Sequence, residues 1–265
     1  MSLSKIMVVI DPTRDDQPAF ERGLESACLT GARLHLYACL NDSYGDDGQD
    51  AIEGRFRAIL KTLVKRAEDL GVEANTEIDW ADEWSSQVAQ AAARCSASMI
   101  FKNSFEHSDV HRELRLTSDW TLLRLSPCPV LMIKNFRDWK HRRILAAINS
   151  QSTDVAHIKL NNQIIGFAQS FTDAYGSDAH FVNAFLDRNN PPGETALSDL
   201  CGAPVEHIHV VEGTPAAAVT GTADELGVDL IIIGTVGRTG IKGQVIGNTS
   251  ERILDHTEAD VLVLN

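Results

Sequence analysis

The sequence has no apolar run long enough to cross a membrane, which excludes proteins with membrane-spanning helices. A membrane-spanning helix needs about 20 consecutive apolar residues, and no segment of the 265 residues reaches that length. The first apolar run begins after Lys5 and is interrupted at Asp11, before it reaches the length of a secretory signal. We therefore expect a cytoplasmic protein without membrane contact.

Basic residues are also scarce. Lys and Arg total 24 against 37 Asp and Glu, so the formal net charge is −13. A protein that binds nucleic acid without sequence preference normally presents a basic face. We therefore expect no nucleic-acid partner, although a small anion can still bind where a few positive groups converge.

Cysteine pairs and known catalytic motifs are missing as well. The five cysteines include no Cys-x-x-Cys pair, which argues against a disulfide or zinc framework and for reduced thiols. There is no Gly-x-Ser-x-Gly, His-Glu-x-x-His or Walker A motif. We assign no catalytic residue and no metal ligand, and expect slow ATP hydrolysis at most.

What is present is a repeat of two similar segments. The first opens with KIMVVIDPTRDDQPAF and closes with SDWTLLRLSPCPVLMIKN, and the second opens with RRILAAINSQSTDVAH and closes with SERILDHTEADVLVLN. A repeat of this length indicates two copies of one domain. The polar segment 135–142 lies between them, so we predict domains over residues 1–137 and 138–265.

Each copy alternates short apolar strands with amphipathic helices. In the first helix Phe20, Leu24 and Ala27 recur at spacings of three and four. Such alternation predicts an α/β fold with a parallel sheet covered by helices on both faces. The second copy departs in one place, because the loop 189–193 leaves room for about two helical turns where the first copy has a helix of about 20 residues.

A glycine-rich loop follows the fourth strand of the second copy, in the stretch LIIIGTVGRTGIKGQVIGNTSERIL. Such a loop lies beyond the carboxyl end of a parallel strand, where open α/β sheets bind ligands. Its backbone N–H groups, the start of the next helix and Arg238 could hold a phosphate. The spacing alone is equally compatible with a loop that only turns the chain.

Together these motifs resemble the universal stress protein family, and most closely its tandem E-type branch. The resemblance rests on VVIDPTRDDQPA, on TSDWTLLRLSPCPVLMIK, and on a Gly-x2-Gly-x9-Gly-Asn-Thr motif at Gly234, Gly237, Gly247, Asn248 and Thr249. It implies two tandem Rossmann-like (adenine-nucleotide α-hydrolase-like) domains, each with a five-stranded parallel sheet of order 3-2-1-4-5.

The resemblance also implies a ligand, ATP or another adenine nucleotide, with or without Mg²⁺, in a stress-response regulator. The first domain has Asn103 and Glu106 in place of the first two glycines, and Glu106, Asp109 and Glu113 would repel phosphate. We therefore assign ATP binding to the second domain. The predicted ATP-binding residues are Ala147, Asn149, Val211, Gly213, Gly234, Thr235, Gly237, Arg238, Gly247, Asn248, Thr249 and Ser250. The degenerate first domain would pair with the second within the chain, and a homodimer is expected.

Alternatives stay open. The protein could instead be an interaction or scaffold protein that binds no nucleotide, with an apolar ligand between Trp80 and Trp84, although we favour ordinary core packing for both. His107 and His111 stand four residues apart, as zinc ligands on one helix face would, but a solvated loop is favoured. His207 and His209 are interpreted as neutral histidines rather than a metal site.

Overall fold

The computed structural model describes residues 3–11, 14–41, 48–104, 112–134, 139, 143–235 and 248–265, with only the backbone for 112–118 and 248. The chain divides into two compact units, residues 2–136 and residues 137–265. Among the described residues, no helix combines the length and the apolar character that crossing a bilayer requires.

The first unit alternates strands and helices throughout. Its elements are β1 (Lys5–Val9), α1 (Pro18–Thr30), β2 (Arg33–Leu40), α2 (Gln49–Asp69), β3 (Ala74–Trp80), α3 (Trp84–Cys95), β4 (Met99–Asn103), α4 (Arg112–Leu125) and β5 (Val130–Ile133). The strands are parallel and lie in the order β3-β2-β1-β4-β5. The predicted order 3-2-1-4-5 is therefore confirmed for this unit.

The second unit repeats the same plan. Its elements are β6 (Arg143–Ile148), α5 (Val155–Tyr175), β7 (Asp178–Phe185), α6 (Glu194–Cys201), a 3-10 turn (Val205–His207), β8 (Ile208–Glu212), α7 (Pro215–Leu226), β9 (Leu230–Gly234), α8 (Asn248–His256) and β10 (Asp260–Leu264). The parallel order is β8-β7-β6-β9-β10, which is again 3-2-1-4-5. The shortened α6 has eight residues, as the sequence predicted.

The strand cores explain why the chain folds this way. β4, β5 and β10 are buried along their whole length, as expected for parallel strands with helices on both faces. The predicted stripe of Phe20, Leu24 and Ala27 is buried in α1. α4 begins at Arg112, where Arg, Glu and Leu are good helix formers.

An aromatic group anchors the start of the second unit. The Trp139 ring centroid lies 4.9 Å from that of Tyr175 and 6.1 Å from that of Phe171, both on α5. The Trp139 indole Nε1–H also donates a hydrogen bond of 3.1 Å to Asp260 Oδ2 at the start of β10. Trp139 therefore ties the segment before β6 to a helix and a strand of the same unit.

The tight contact between α1 and β1 gives a testable prediction. A Cβ at Gly23 would lie 2.7 Å from Val8 Cγ2, so Gly23→Ala should lower the free energy of unfolding by about 1–3 kcal/mol through overpacking. The matched control is Gly54→Ala in α2, where a Cβ meets nothing within 4 Å and helix propensity should add about 0.5–1 kcal/mol. Urea unfolding compares the two, and equal stability of both variants would contradict this account.

Candidate functional site

The carboxyl edge of the second sheet is the candidate site. β6, β8 and β9 end there at Ile148, Glu212 and Gly234. The chain leaves β6 towards β7 on one side and later returns to β9 on the other side of β6, so the order reverses between β6 and β9. Ligands of open α/β sheets bind in the crevice at such a reversal.

Asn149, directly after β6, is held by its backbone and keeps its side chain exposed. Its N–H donates to Asn161 Oδ1 at 3.0 Å, and Asn161 Nδ2 donates back to the Asn149 carbonyl at 2.8 Å. The next N–H, at Ser150, donates to Asn183 Oδ1 at 2.8 Å. The amide of Asn149 is thus exposed at a fixed strand end and has no hydrogen-bond partner among the described residues, while Ala147 is half-buried within β6.

Gly234 has a packing role that the sequence did not reveal. A Cβ there would lie 2.3 Å from Leu160 Cδ2 and 2.5 Å from Leu160 Cγ, so only glycine lets α5 pack over the end of β9 as it does. The Thr235 N–H donates to the Leu264 carbonyl at 2.7 Å, and its hydroxyl donates to Asn265 Oδ1 at 2.9 Å. Thr235 is therefore tied to the end of β10.

The backbone at position 213, directly after β8, favours glycine. Its φ of 144° lies in the region that side chains rarely adopt, and its N–H donates to the Phe185 carbonyl at 2.9 Å. Val211, two residues earlier, is half-buried on β8. The next helix, α7, is capped by the Thr214 hydroxyl, which accepts from the Ala217 N–H.

The structure describes only the two ends of the loop between β9 and α8. Gly237, Arg238 and Gly247 lie outside the described residues. α8 begins at Asn248, with Thr249 exposed and Ser250 buried. Because α8 connects two parallel strands, its amino end lies at the carboxyl edge, close to the ends of β9 and β6. The described residues brought to this edge are Asn149, Gly213, Gly234, Thr235 and the start of α8.

The first unit fills the equivalent edge with its own side chains. Asn103 occupies the position of Gly234, and its Oδ1 accepts the Ala19 N–H at 2.6 Å. Lys102 is buried, forms an ion pair of 2.9 Å with Asp119, and lies 4.9 Å from the Trp84 ring centroid. Backbone donors at the start of α1 are thus already used.

Two further first-unit predictions have different outcomes. Trp80 packs against a core of Leu40, Ile52 and Phe56, and its indole N–H donates to Glu53 Oε2 at 3.1 Å. Core packing, the favoured interpretation, is therefore confirmed for Trp80. The acidic residues Glu106 and Asp109 and the histidine pair His107 and His111 lie outside the described residues, and of Glu113 only the backbone is described.

His207, at the end of the 3-10 turn, and His209 on β8 belong to a cluster of three with His180, which the sequence pattern missed. His180 Nδ1 lies 3.1 Å from His209 Nε2, and the His180 ring centroid lies 4.2 Å from that of His207. Burial first, and then the neighbouring His207, His209 and Arg143, lower the pKa of His180 from 6.5 to about 4, while Asp178 acts in the opposite direction.

Burial and His207 also lower the pKa of His209, against an opposing effect of Glu225. Both side chains are therefore neutral at pH 7. Across the described residues, no group of three or more His, Cys, Asp or Glu side chains has an arrangement suited to a metal ion.

The first unit holds a different cluster at the same positions. The strand register places His35 where the second unit has His180, and Asn75 and Glu77 where it has His207 and His209. His35 Nδ1 lies 2.7 Å from Asn75 Oδ1, and its Nε2 lies 2.8 Å from Glu77 Oε2. The carboxylate that faces the histidine in the first unit is thus replaced by a third histidine in the second.

Comparison with known proteins decides the family. The model of the universal stress protein family matches residues 3–134 and 167–265. The chain belongs to the universal stress protein family. Its two matched segments fall in the two units, so this universal stress protein carries the family's domain twice.

Relatives match this chain over nearly its whole length. The chain is 24% identical over 295 residues to Universal stress protein E of Photorhabdus laumondii, covering 98% of this chain and 94% of the relative. A solved protein of unknown function from Pseudomonas aeruginosa is 29% identical, with a TM-score of 0.83, and covers 99% of this chain and 92% of its own.

Some solved universal stress proteins contain adenine nucleotides. One is a complex with cAMP, covering 51% of this chain at a TM-score of 0.41 and 16% identity, and another, from Archaeoglobus fulgidus, is a complex with dAMP, covering 51% at a TM-score of 0.39 and 18% identity. Likeness at this level does not bear on the ligand of this universal stress protein.

The histidine cluster predicts acid sensitivity. Between pH 6.5 and 4 the unfolded chain protonates His180 while the folded chain does not, so the stability that is present above pH 6.5 is lost as the pH falls. The loss should reach about 2 kcal/mol, less than the whole pKa shift would give, because solvent reaches part of the cluster.

His209→Glu tests this account because it copies Glu77 and should raise the pKa of His180. Urea unfolding at pH 7, 5.5 and 4.5 should then show a smaller loss of stability on acidification than in the wild type. His256→Gln, which removes an exposed histidine on α8, is the matched control and should behave as the wild type. An unchanged pH dependence in His209→Glu would refute the role of the cluster.

Proposed function

We propose that the second unit binds an adenine nucleotide, ATP in the first instance and with or without Mg²⁺, at the carboxyl edge between β6 and β9. The protein would act in the cytoplasm as a homodimer and as a nucleotide-responsive regulator of stress survival rather than as an enzyme. The family supplies the stress-response context, and the geometry of the edge supports the location.

The observation that carries the proposal is the contrast between the two edges. In the second unit, Asn149 presents a free amide at a strand end whose backbone is fixed by Asn161. Such an amide can donate to and accept from a base edge or a ribose hydroxyl. In the first unit, the end of β4 is occupied instead by the Lys102–Asp119 ion pair and by the Asn103 side chain, which accepts the Ala19 N–H.

The backbone around this edge supports a phosphate contact. The start of α8 carries the partial positive charge of a helix amino end, which attracts anions. Gly213 adds a backbone conformation without a side chain at the end of β8. Arg238 would supply a full charge. The site would thereby concentrate a few positive groups at one place in a protein of net charge −13. This pattern suits a small anion, whereas a protein that binds nucleic acid without sequence preference presents a broad basic face.

The test is calorimetric titration of ATP into the purified full-length protein. We expect saturable binding near one ATP per chain. Asn149→Ala removes the free amide and should weaken binding by several-fold to about tenfold, the effect of one or two lost hydrogen bonds. Gly237→Glu copies the residue of the first domain and should weaken binding by more than about tenfold, because a carboxylate repels phosphate.

Asn162→Ala is the matched control, because Asn162 is the exposed neighbour of Asn161 on α5. Its affinity should equal that of the wild type. No heat with correctly folded wild-type protein, or equal affinity in all four proteins, would overturn the proposed function. The interaction-protein alternative would then be preferred.

A further inference from the structure

A second cavity lies at the opposite end of the same sheet. It has a volume of about 240 Å³, is partly open to solvent, and lies between the carboxyl end of α5, the turn after α6 and the amino ends of β7 and β8. Since one water occupies about 30 Å³ of liquid, the cavity has room for a molecule of roughly eight non-hydrogen atoms. It is distinct from the edge between β6 and β9 described above.

One wall is a polar stripe on α5. Gln169, Thr172 and Asp173 stand three and four residues apart and so share a helix face, and Ser177 follows the helix cap. Across the cavity, Cys201 to Pro204 form the second wall, and the two walls are joined by a hydrogen bond of 3.2 Å from Gln169 Nε2 to the Cys201 carbonyl. Phe181 of β7 supplies an apolar floor.

Two hydroxyl groups in this wall lack partners among the described residues. Thr172 Oγ1 and Ser177 Oγ are buried atoms without a hydrogen bond to any described residue, and Ser177 is only 3% exposed. A buried hydroxyl left unsatisfied costs stability, so native structures rarely keep one without a reason. Both residues line the same cavity, and a polar occupant that reaches the two hydroxyls would supply the missing partners.

In the first unit, the positions that correspond to the polar wall of the cavity carry mostly apolar, buried side chains. Gly31 and Gly176 each end a helix with positive φ, two residues before β2 and β7, which aligns the two units. The first-unit counterparts of Gln169, Thr172, Asp173 and Ser177 are Leu24, Ala27, Cys28 and Ala32. Leu24, Ala27 and Ala32 are buried, and α2 has 21 residues where α6 has eight.

The charges around the cavity favour a cation. Asp173 and Asp178 are acidic lining residues, no Lys or Arg in the described chain lines the cavity, and the imidazole of His207 is a further lining group. The thiol of Cys201 stays neutral, because burial raises its pKa to about 12. The accepting side chains at this cavity include hydroxyl and carboxylate oxygens, which suit a donor with several N–H groups.

We propose that this cavity binds a small organic cation, a primary ammonium attached to an apolar group. The ammonium donates to the Asp173 carboxylate and to the hydroxyls of Thr172 and Ser177, and the apolar group packs against Phe181 and Pro204. This site is independent of the proposed nucleotide site, and neither proposal rests on the other.

The test uses three probes of the same shape and different charge: benzylammonium, benzyl alcohol and benzoate. Each is titrated into the full-length protein and followed by calorimetry or by amide chemical shifts. We expect saturable binding of benzylammonium, about tenfold weaker binding of benzyl alcohol, which keeps a hydroxyl but lacks the charge, and none of benzoate. Equal binding of all three, or none of benzylammonium to folded protein, would overturn the proposal.

Variants separate a ligand site from a structural one. Thr172→Ala with Ser177→Ala copies the first unit and should leave stability unchanged or raised, because the hydroxyls have no partner in the protein, while abolishing benzylammonium binding. Asp173→Asn should weaken binding by about tenfold. Asp199→Asn, an exposed residue of α6 outside the cavity, is the control and should bind as the wild type. Undiminished binding in the double alanine variant would refute the site.

Discussion

Burial of both faces of a parallel sheet is the constraint on which the rest of each unit depends. Strands such as β4 and β10 are covered along their whole length, so the hydrophobic gain requires a helix over every part of each face. The first unit meets this requirement with the 21 residues of α2. The second has an eight-residue α6, and near its end polar side chains replace the apolar ones. A shortened helix therefore changes the chemistry of the surface that it no longer covers.

The same constraint leaves the sheet edges free to vary. Both units fix a residue just beyond their first strand with a side-chain amide that bonds its N–H and its carbonyl, but Gln17 holds Asp11 in one and Asn161 holds Asn149 in the other. The two amides stand at different distances along the chain. The backbone at the strand end is thus bound by a side-chain amide in both units, whereas the fold does not fix which position in the sequence supplies that amide.

Much of the fold could be predicted from sequence, because alternation and an internal repeat are local patterns that burial enforces. The order 3-2-1-4-5 needed the family resemblance. At the candidate site, sequence position alone points to Asn149 and to the glycines, and their role in binding stays a prediction. The contact of Gly234 with Leu160 could not be predicted, since nothing in the spacing shows which helix side chain reaches a strand end. The cluster of His180 with His207 and His209 depends on the register of β7 and β8, which periodicity does not fix.

One helix connects the two candidate sites of the second unit. Asn161 on α5 holds the strand end at Asn149, and Thr172 on the same helix lines the cavity, about 17 Å away at 1.5 Å per residue. A continuous helix that joins two sites does not by itself couple them, since coupling needs an element with two arrangements that both ligands bias. α5 is one uninterrupted helix packed on β6, β7 and β9, so the two sites should act independently.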